Sequence, residues 1–205
     1  MSSGISGGEP QRAAAPPERT RRLFFALWPD AAQRAALVHA VRKAVRGCGG
    51  RPVPAESLHV TLAFLGSVPE SRIAELGAVA HAAAARAPQV SPLALTLGRI
   101  GYAARAQILW VLADREANAV PGLAALAGAL REATEAAGFC PDLKPFRLHV
   151  TVARKVTHAP SPQAMRPVEW RFDGFALIES RTDPAGALYS VVESYALFGA
   201  EKVRT

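Results

Sequence analysis

The sequence has no apolar run suited to a membrane span and few of the residues that build disulfide or metal frameworks. Among its 205 residues, no stretch approaches the roughly 18 consecutive apolar residues that a membrane-spanning helix needs. The first twenty residues also lack the apolar segment of a secretory signal. Two cysteines, Cys48 and Cys140, are too few for a disulfide framework, and no CxxC or Cys/His cluster predicts structural zinc. We therefore expect a reduced, cytoplasmic, globular protein that does not bind membranes.

The sequence also lacks glycine-rich phosphate loops and has few lysines. Neither GxGxxG nor GxxxxGK[ST] follows any strand-like run, which disfavours dinucleotide and P-loop nucleotide binding. Only four of the 24 basic residues are lysine, so the formal charge of +7 rests mainly on arginine. Arginine forms bidentate contacts with phosphate. The basic balance is therefore compatible with a phosphate-bearing partner, although net charge does not define a fold.

The pattern of apolar runs predicts an α+β fold. Half of the residues are hydrophobic, which is sufficient for a core. Residues 1–20 are rich in Gly, Ser, Pro and Ala and predict a disordered leader, followed by one domain over residues 21–200. The predicted order is β-α-β-α-β and then β-α-β-β-β, with strands near 21–29, 57–65, 93–100, 107–113, 146–154, 172–180 and 188–197 and helices near 31–47, 69–88 and 121–137. Two strand pairs look hairpin-joined, which favours largely antiparallel sheets.

The tetrapeptide Leu-His-Val-Thr occurs twice, each time in a strand-like run. Because side chains alternate across a strand, His59 and Thr61 share one face of the first run, and His149 and Thr151 share one face of the second. A single polar pair of this kind is most simply a structural feature that is satisfied by neighbouring backbone. Two copies, one in each half of the chain, instead predict two related lobes that each place an imidazole and a hydroxyl in a central cleft.

Two imidazoles in one cleft suit the cleavage of a phosphodiester. Histidine titrates near neutral pH, so one ring can accept a proton from the attacking oxygen while the other donates a proton to the leaving oxygen. Threonine hydroxyls can hydrogen-bond the non-bridging oxygens as negative charge builds there. This chemistry needs no cofactor and no metal, and two histidines without nearby carboxylates make a poor metal site.

The paired motifs resemble the 2H phosphoesterase superfamily and, within it, the bacterial RNA 2′,3′-cyclic phosphodiesterases, which are also called 2′-5′ RNA ligases. RLFFALWP is similar to the opening strand of that family, RPVPAESLHVTLAFLGSV to its first motif segment and FRLHVTVAR to its second. The resemblance covers about residues 21–198. It implies a bilobal fold in which two pseudo-twofold-related lobes, mainly of antiparallel sheet with helices outside, surround a central cleft. It also implies opening of a 2′,3′-cyclic phosphate at an RNA end to a 2′-phosphate, with weak reversible 2′-5′ ligation.

Carried over residue by residue, the resemblance assigns His59 and His149 as catalytic residues and Thr61 and Thr151 as phosphate-binding residues. It also places Arg154 on the phosphate. Arg154 lies three residues after Thr151, however, and on a regular strand this odd spacing turns it to the opposite face. The strand must therefore end or twist before Arg154 for its side chain to reach the cleft.

Aromatic residues are the remaining candidates. Phe25 matches an aromatic residue that the resemblance implies for stacking on the terminal base; because Phe24 and Phe25 face opposite ways on a strand, only one of them can line the cleft. The three tryptophans, Trp28, Trp110 and Trp170, are predicted to be packing residues. Glu193 stands where the family often carries a basic residue.

The sequence leaves the order of the histidine roles and the substrate open. We assign His59 as the general acid and His149 as the general base, although the repeat itself fits either order. The expected partner is RNA with a 2′,3′-cyclic phosphate terminus, bound by a monomer that needs no other protein. The alternatives are a cyclic phosphodiesterase acting on small nucleotides and a non-catalytic 2H-like module that binds RNA or nucleotide.

Overall fold

A computed structural model of the chain describes residues 18–87, 93–114, 120, 122–141, 146–183 and 186–197. The strands in these ranges are β1 (Thr20–Leu27), β2 (Arg51–Pro52), β3 (Val60–Pro69), β4 (Leu93–Ala103), β5 (Ile108–Ala113), β6 (His149–Arg154), β7 (Gln163–Phe172), β8 (Gly174–Asp183) and β9 (Gly186–Ala196). The helices are α1 (Ala31–Gly47), α2 (Ile73–Arg86) and α3 (Leu123–Ala136). None of these helices combines the length and the apolar composition that a membrane crossing requires.

The strands form two antiparallel sheets. One sheet has the order β3-β1-β8-β9 and the other the order β2-β6-β5-β4-β7, and every recorded pairing is antiparallel. The two histidine motifs open β3 and β6, which lie in different sheets. A single large apolar cluster joins residues of both sheets and all three helices. The predicted α+β fold with mainly antiparallel sheets is confirmed.

The helices form where sequence signals for their ends coincide with an apolar stripe. The Asp30 carboxylate accepts a hydrogen bond from the Gln33 backbone N–H at 2.7 Å, which is a standard N-cap arrangement. Leu37 and Val41 are the buried residues of α1, and their spacing of four places them on one helix face. Helices α2 and α3 pack against each other.

The N-terminal boundary and two edge strands differ from the sequence prediction. Residues 1–17 of the predicted leader lie outside the described residues, whereas Arg19 already accepts a hydrogen bond from the Glu70 backbone N–H at 2.9 Å. Strands β2 and β7 lie at the two edges of the second sheet and were absent from the prediction. Each contains a proline, Pro52 or Pro167, which an edge strand tolerates because one side makes no ladder bonds. Most of β7 is also exposed, so its apolar alternation is weak.

Candidate active site

The two motif histidines are held in the same way. Nδ1 of His59 lies 2.7 Å from the Ser57 carbonyl oxygen, and Nδ1 of His149 lies 2.7 Å from the Arg147 carbonyl oxygen. In both cases the acceptor belongs to the residue two positions earlier. Because a carbonyl can only accept a hydrogen bond, Nδ1 must carry the proton. The neutral rings are therefore fixed in the tautomer that leaves Nε2 free to accept a proton.

The threonines follow the histidines on the same strand faces. Thr61 and Thr151 are half-buried, like His59 and His149, while the residues between and after them are buried. Hydrophobic residues on the opposite face enter the main core. The alternation that the sequence predicts is therefore present in both motifs, and each motif presents one imidazole and one hydroxyl away from the core.

A β-bulge decides where Arg154 lies. Trp110 pairs with Thr151 and Leu109 with Ala153, so Val152 has no partner on β5. Val152 and Ala153 are both buried and Arg154 is exposed. The extra residue shifts the alternation by one position, which brings Arg154 to the face of Thr151. Consistent with this placement, the positive charge of Arg154 lowers the pKa of both His59 and His149.

The first motif contains the same irregularity. Ala26 pairs with Thr61 and Phe25 with Ala63, so Leu62 has no partner on β1. Leu62 and Ala63 are both buried. The residue that corresponds to Arg154 is then Phe64, and the Arg22 guanidinium lies 4.8 Å from its ring centre. The two lobes therefore share the His-x-Thr framework but differ at the next position, where only the second lobe carries a guanidinium.

His59 lies in an aromatic enclosure. Its ring centre is 5.0 Å from that of Phe24, 5.6 Å from that of Trp28 and 5.2 Å from that of Tyr189. Burial among these rings lowers the His59 pKa from 6.5 to about 4, and the nearby charges of Arg154, His149 and Arg34 act in the same direction. Strands β3 and β6, which carry the two motifs, also contact each other. At neutral pH His59 is uncharged in the free protein.

Arg34 of α1 contacts this aromatic enclosure. Its Nε donates a hydrogen bond to the Leu58 carbonyl at 3.3 Å, and its guanidinium lies 4.6 Å from the centre of the Trp28 ring. Its Nη2 is buried without a hydrogen-bond partner among the described residues. The guanidinium thus contacts both the residue that precedes His59 and the ring that stacks on His59. Nothing in the local sequence around Arg34 distinguishes it from the other arginines of α1.

His149 has a different neighbourhood. Its ring centre is 5.2 Å from that of Trp110, and the Arg147 guanidinium lies 5.1 Å from the centre of the same indole. Burial lowers the His149 pKa, and the charges of Arg147 and Arg154 lower it further. The Nδ1 bond of His149 is exposed, whereas that of His59 is partly buried. His149 is therefore the imidazole that bulk water reaches more readily.

The structure bears on the predictions for four aromatic residues. The prediction for Phe25 is wrong, because this side chain is 0% exposed and packs against Phe175 and Tyr195 in the core. A ring with no accessible surface cannot stack on a nucleobase. Trp170 is also fully buried, as predicted. Trp28 and Trp110 are not simple packing residues, since each lies against one of the two motif histidines.

The arrangement supplies proton acceptors, hydroxyls and a guanidinium. Among the residues that the structure describes, no group of three or more His, Cys, Asp or Glu is placed to hold a metal ion. An imidazole with a free Nε2 atom can accept a proton, and the same ring in its imidazolium form can donate one, so two such rings can serve as base and acid. The hydroxyls of Thr61 and Thr151 can donate hydrogen bonds to an anion, and the guanidinium of Arg154 can also neutralise its charge.

Two antiparallel lobes with one His-x-Thr motif each define a 2H phosphoesterase. The chain belongs to the 2′-5′ RNA ligase superfamily, which its residues 28–184 match. It is 34% identical over 191 residues to an RNA 2′,3′-cyclic phosphodiesterase of Thermus thermophilus, covering 87% of this chain and 91% of the relative. It is also 34% identical over 139 residues to the RNA 2′,3′-cyclic phosphodiesterase of Escherichia coli, covering 68% and 74% of the two chains.

Solved structures agree with this assignment. The crystal structure of E. coli LigT complexed with 3′-AMP superposes with a TM-score of 0.73 at 28% identity, covering 87% of this chain and 98% of LigT. A crystal structure from T. thermophilus superposes with a TM-score of 0.71 at 34% identity, covering 87% and 99% of the two chains. The bilobal 2H fold expected from the sequence is therefore confirmed.

Proposed function

We propose that this protein hydrolyses 2′,3′-cyclic phosphates at RNA ends to 2′-phosphates, with His59 and His149 as the two proton-transfer groups. The observation that carries the proposal is the identical fixation of the two imidazoles, each with Nδ1 on a backbone carbonyl at 2.7 Å and Nε2 free. Relatives named RNA 2′,3′-cyclic phosphodiesterase support the choice of substrate.

In the proposed reaction, Nε2 of His149 accepts a proton from water as the water oxygen bonds to phosphorus. The bond from phosphorus to the ribose 3′ oxygen breaks, and this oxygen receives the proton from Nε2 of His59. The 2′ oxygen keeps the phosphate. His149 is the better candidate for the base because it lies nearer to solvent, from which water enters. His59, enclosed by Phe24, Trp28 and Tyr189, is then left as the acid.

Substrate binding is expected to charge His59. Burial and neighbouring cations lower the pKa of His59 to about 4 in the free protein, so the acid form is scarce at neutral pH. The negative charge of a bound cyclic phosphate favours the imidazolium and raises that pKa. Thr61, Thr151 and Arg154 would bind the non-bridging oxygens and stabilise the extra charge of the transition state. Each proton transfer is worth roughly 10²–10⁴-fold in rate.

The same groups can open the cyclic phosphate with a nucleophile other than water. A ribose 5′-hydroxyl in the place of water would form a 2′-5′ link, with His149 again accepting the proton. Bulk water competes with this hydroxyl unless the second RNA end is held in position. We therefore propose 2′-5′ ligation only as a weak, reversible activity beside hydrolysis.

Product analysis tests the proposed reaction. Purified protein is incubated in EDTA with an RNA oligonucleotide that ends in a 2′,3′-cyclic phosphate, and the terminal phosphate is identified. A 2′-phosphate end supports the proposal, while a 3′-phosphate end would mean that the 2′ oxygen leaves instead. Binding of the RNA without any product would point to a non-catalytic module. Faster turnover of a cyclic mononucleotide than of the oligonucleotide would point to a small-nucleotide phosphodiesterase.

A further inference from the structure

A glycine on the neighbouring strand β4, Gly101, leaves space for the indole of Trp110. Gly101 of β4 pairs directly with Trp110 of β5, so their side-chain positions lie on the same sheet face. A Cβ atom on Gly101 would lie 2.6 Å from the indole Nε1 of Trp110 and 3.3 Å from Cδ1 of Leu112. The backbone of Gly101 is not in the left-handed region. Glycine is therefore required there to admit the indole, which rests close against the β4 backbone.

Arg147 lies over the same indole. Its guanidinium lies 5.1 Å from the ring centre, and the side chain is exposed. Among the described residues it forms no ion pair with a carboxylate. Cation–π contact positions such a group without neutralising it. An exposed planar cation thus lies over an indole whose ring centre is 5.2 Å from that of His149.

We propose that Trp110 and Arg147 form a stacking site for a nucleobase on the His149 side of the reacting phosphate. Unpaired bases stack on aromatic rings and on guanidinium planes, largely irrespective of base identity. In the first lobe, Ala26 takes the place of Trp110 opposite Thr61. The indole beside His59 is that of Trp28, and the guanidinium over it, that of Arg34, has a buried Nη2 and is bonded to the Leu58 carbonyl, whereas Arg147 is exposed. The aromatic ring nearest to His59, that of Phe24, is only 3% exposed.

The location of this site rests on the proposed function, since the two histidines define where the phosphate lies. Two sources can supply the base: the penultimate nucleotide of the same RNA, or a separate nucleoside that brings a 5′-hydroxyl to the place of the attacking water. Both involve the same stacking chemistry, and a comparison of substrates of different length separates them.

The first arm compares cytidine 2′,3′-cyclic phosphate with the dinucleotide adenylyl-cytidine 2′,3′-cyclic phosphate. The ratio of their kcat/KM values is measured for the wild type, Arg147→Met and Gly101→Ala. Arg147→Met keeps the backbone carbonyl that holds His149, and any change in the His149 pKa affects both substrates alike. Loss of one stacked base should reduce the dinucleotide preference by roughly 5- to 150-fold. The matched controls are Arg166→Met, at an exposed position of β7, and Gly128→Ala, where a Cβ meets nothing within 4 Å.

The second arm uses adenosine as the probe and tryptophan fluorescence as the readout, because a stacked base quenches an indole. Arg147→Met and Gly101→Ala both retain Trp110, so weaker adenosine binding would reflect loss of the platform rather than loss of the reporter. Arg147→Met removes no backbone contact, and it decides the question if Gly101→Ala fails to fold.

The outcomes are distinct. A reduced dinucleotide preference assigns the site to the penultimate nucleotide, and weakened adenosine quenching with an unchanged preference assigns it to a separate nucleoside. If neither quantity differs between these variants and their controls, the stacking site is refuted, even when the enzyme turns over both substrates. If no substrate is turned over, the proposed function fails, while the fluorescence arm still decides whether the site binds a base.

Discussion

Replacing His59 by phenylalanine should remove an acid-dependent loss of stability. Burial among Phe24, Trp28 and Tyr189 lowers the His59 pKa from 6.5 to about 4. Since the folded pKa lies below the unfolded value, the unfolded chain binds this proton more strongly between pH 6.5 and pH 4. The stability that uncharged His59 contributes to the folded state is fully present above pH 6.5 and is lost as the pH falls towards 4. At ~1.4 kcal/mol per pKa unit, His59 accounts for about 3 kcal/mol of that loss.

The assay is denaturant unfolding of the wild type and His59→Phe at several pH values between 4 and 8. Phenylalanine retains a ring among the surrounding aromatic side chains but cannot be protonated, and the carboxylates titrate alike in both proteins. The difference in unfolding free energy between the two proteins should therefore move by about 3 kcal/mol in favour of the variant from pH 7 to pH 4. His149→Phe should show the same sign with a smaller amplitude, because His149 is nearer to solvent. Parallel pH dependences of the wild type and His59→Phe would refute the reasoning.

Two further substitutions test how charge is arranged around the motif. Arg34→Gln removes a cation that lowers the His59 pKa, so the acid limb of the kcat/KM profile should move to higher pH. Arg42→Gln, on the exposed side of α1, should leave this limb in place. An unshifted limb in Arg34→Gln would contradict this. Arg154→Met should lower kcat roughly 10²–10³-fold, which is the typical loss for one transition-state donor. Lys155→Met changes the neighbouring exposed residue and is the control. Equal losses in the two variants would show that Arg154 has no specific role.

Much of the fold follows from local patterns in the sequence. The N-cap at Asp30 and the i, i+4 pair of Leu37 and Val41 predict α1 closely, because these signals depend only on nearby residues. The HxT repeat likewise predicts which face of each strand carries the histidines. β7 was missed because its sequence is mostly exposed and contains Pro167. An edge position, which the rest of the sheet determines, explains both features.

The details of the site depend on contacts that the sequence pattern does not encode. Regular alternation turns Arg154 away from Thr151, and only the bulge at Val152 reverses this. Such a bulge depends on the register with β5, which local propensity does not determine. Phe24 and Phe25 are chemically identical, and the register of β1 with its neighbours decides which of them meets His59. The contacts that Trp28 and Trp110 make with the motif histidines are tertiary for the same reason.

The central claim is that His59 and His149 carry the two proton transfers, and turnover by their alanine variants tests it most directly. We would measure conversion of an RNA 2′,3′-cyclic phosphate end in EDTA by the wild type, His59→Ala and His149→Ala, after confirming that each variant is folded. Each variant should lose roughly 10²–10⁴-fold in rate, and the wild type should remain active in the chelator. Turnover that survives both substitutions would contradict the claim and would place the active site elsewhere in the molecule.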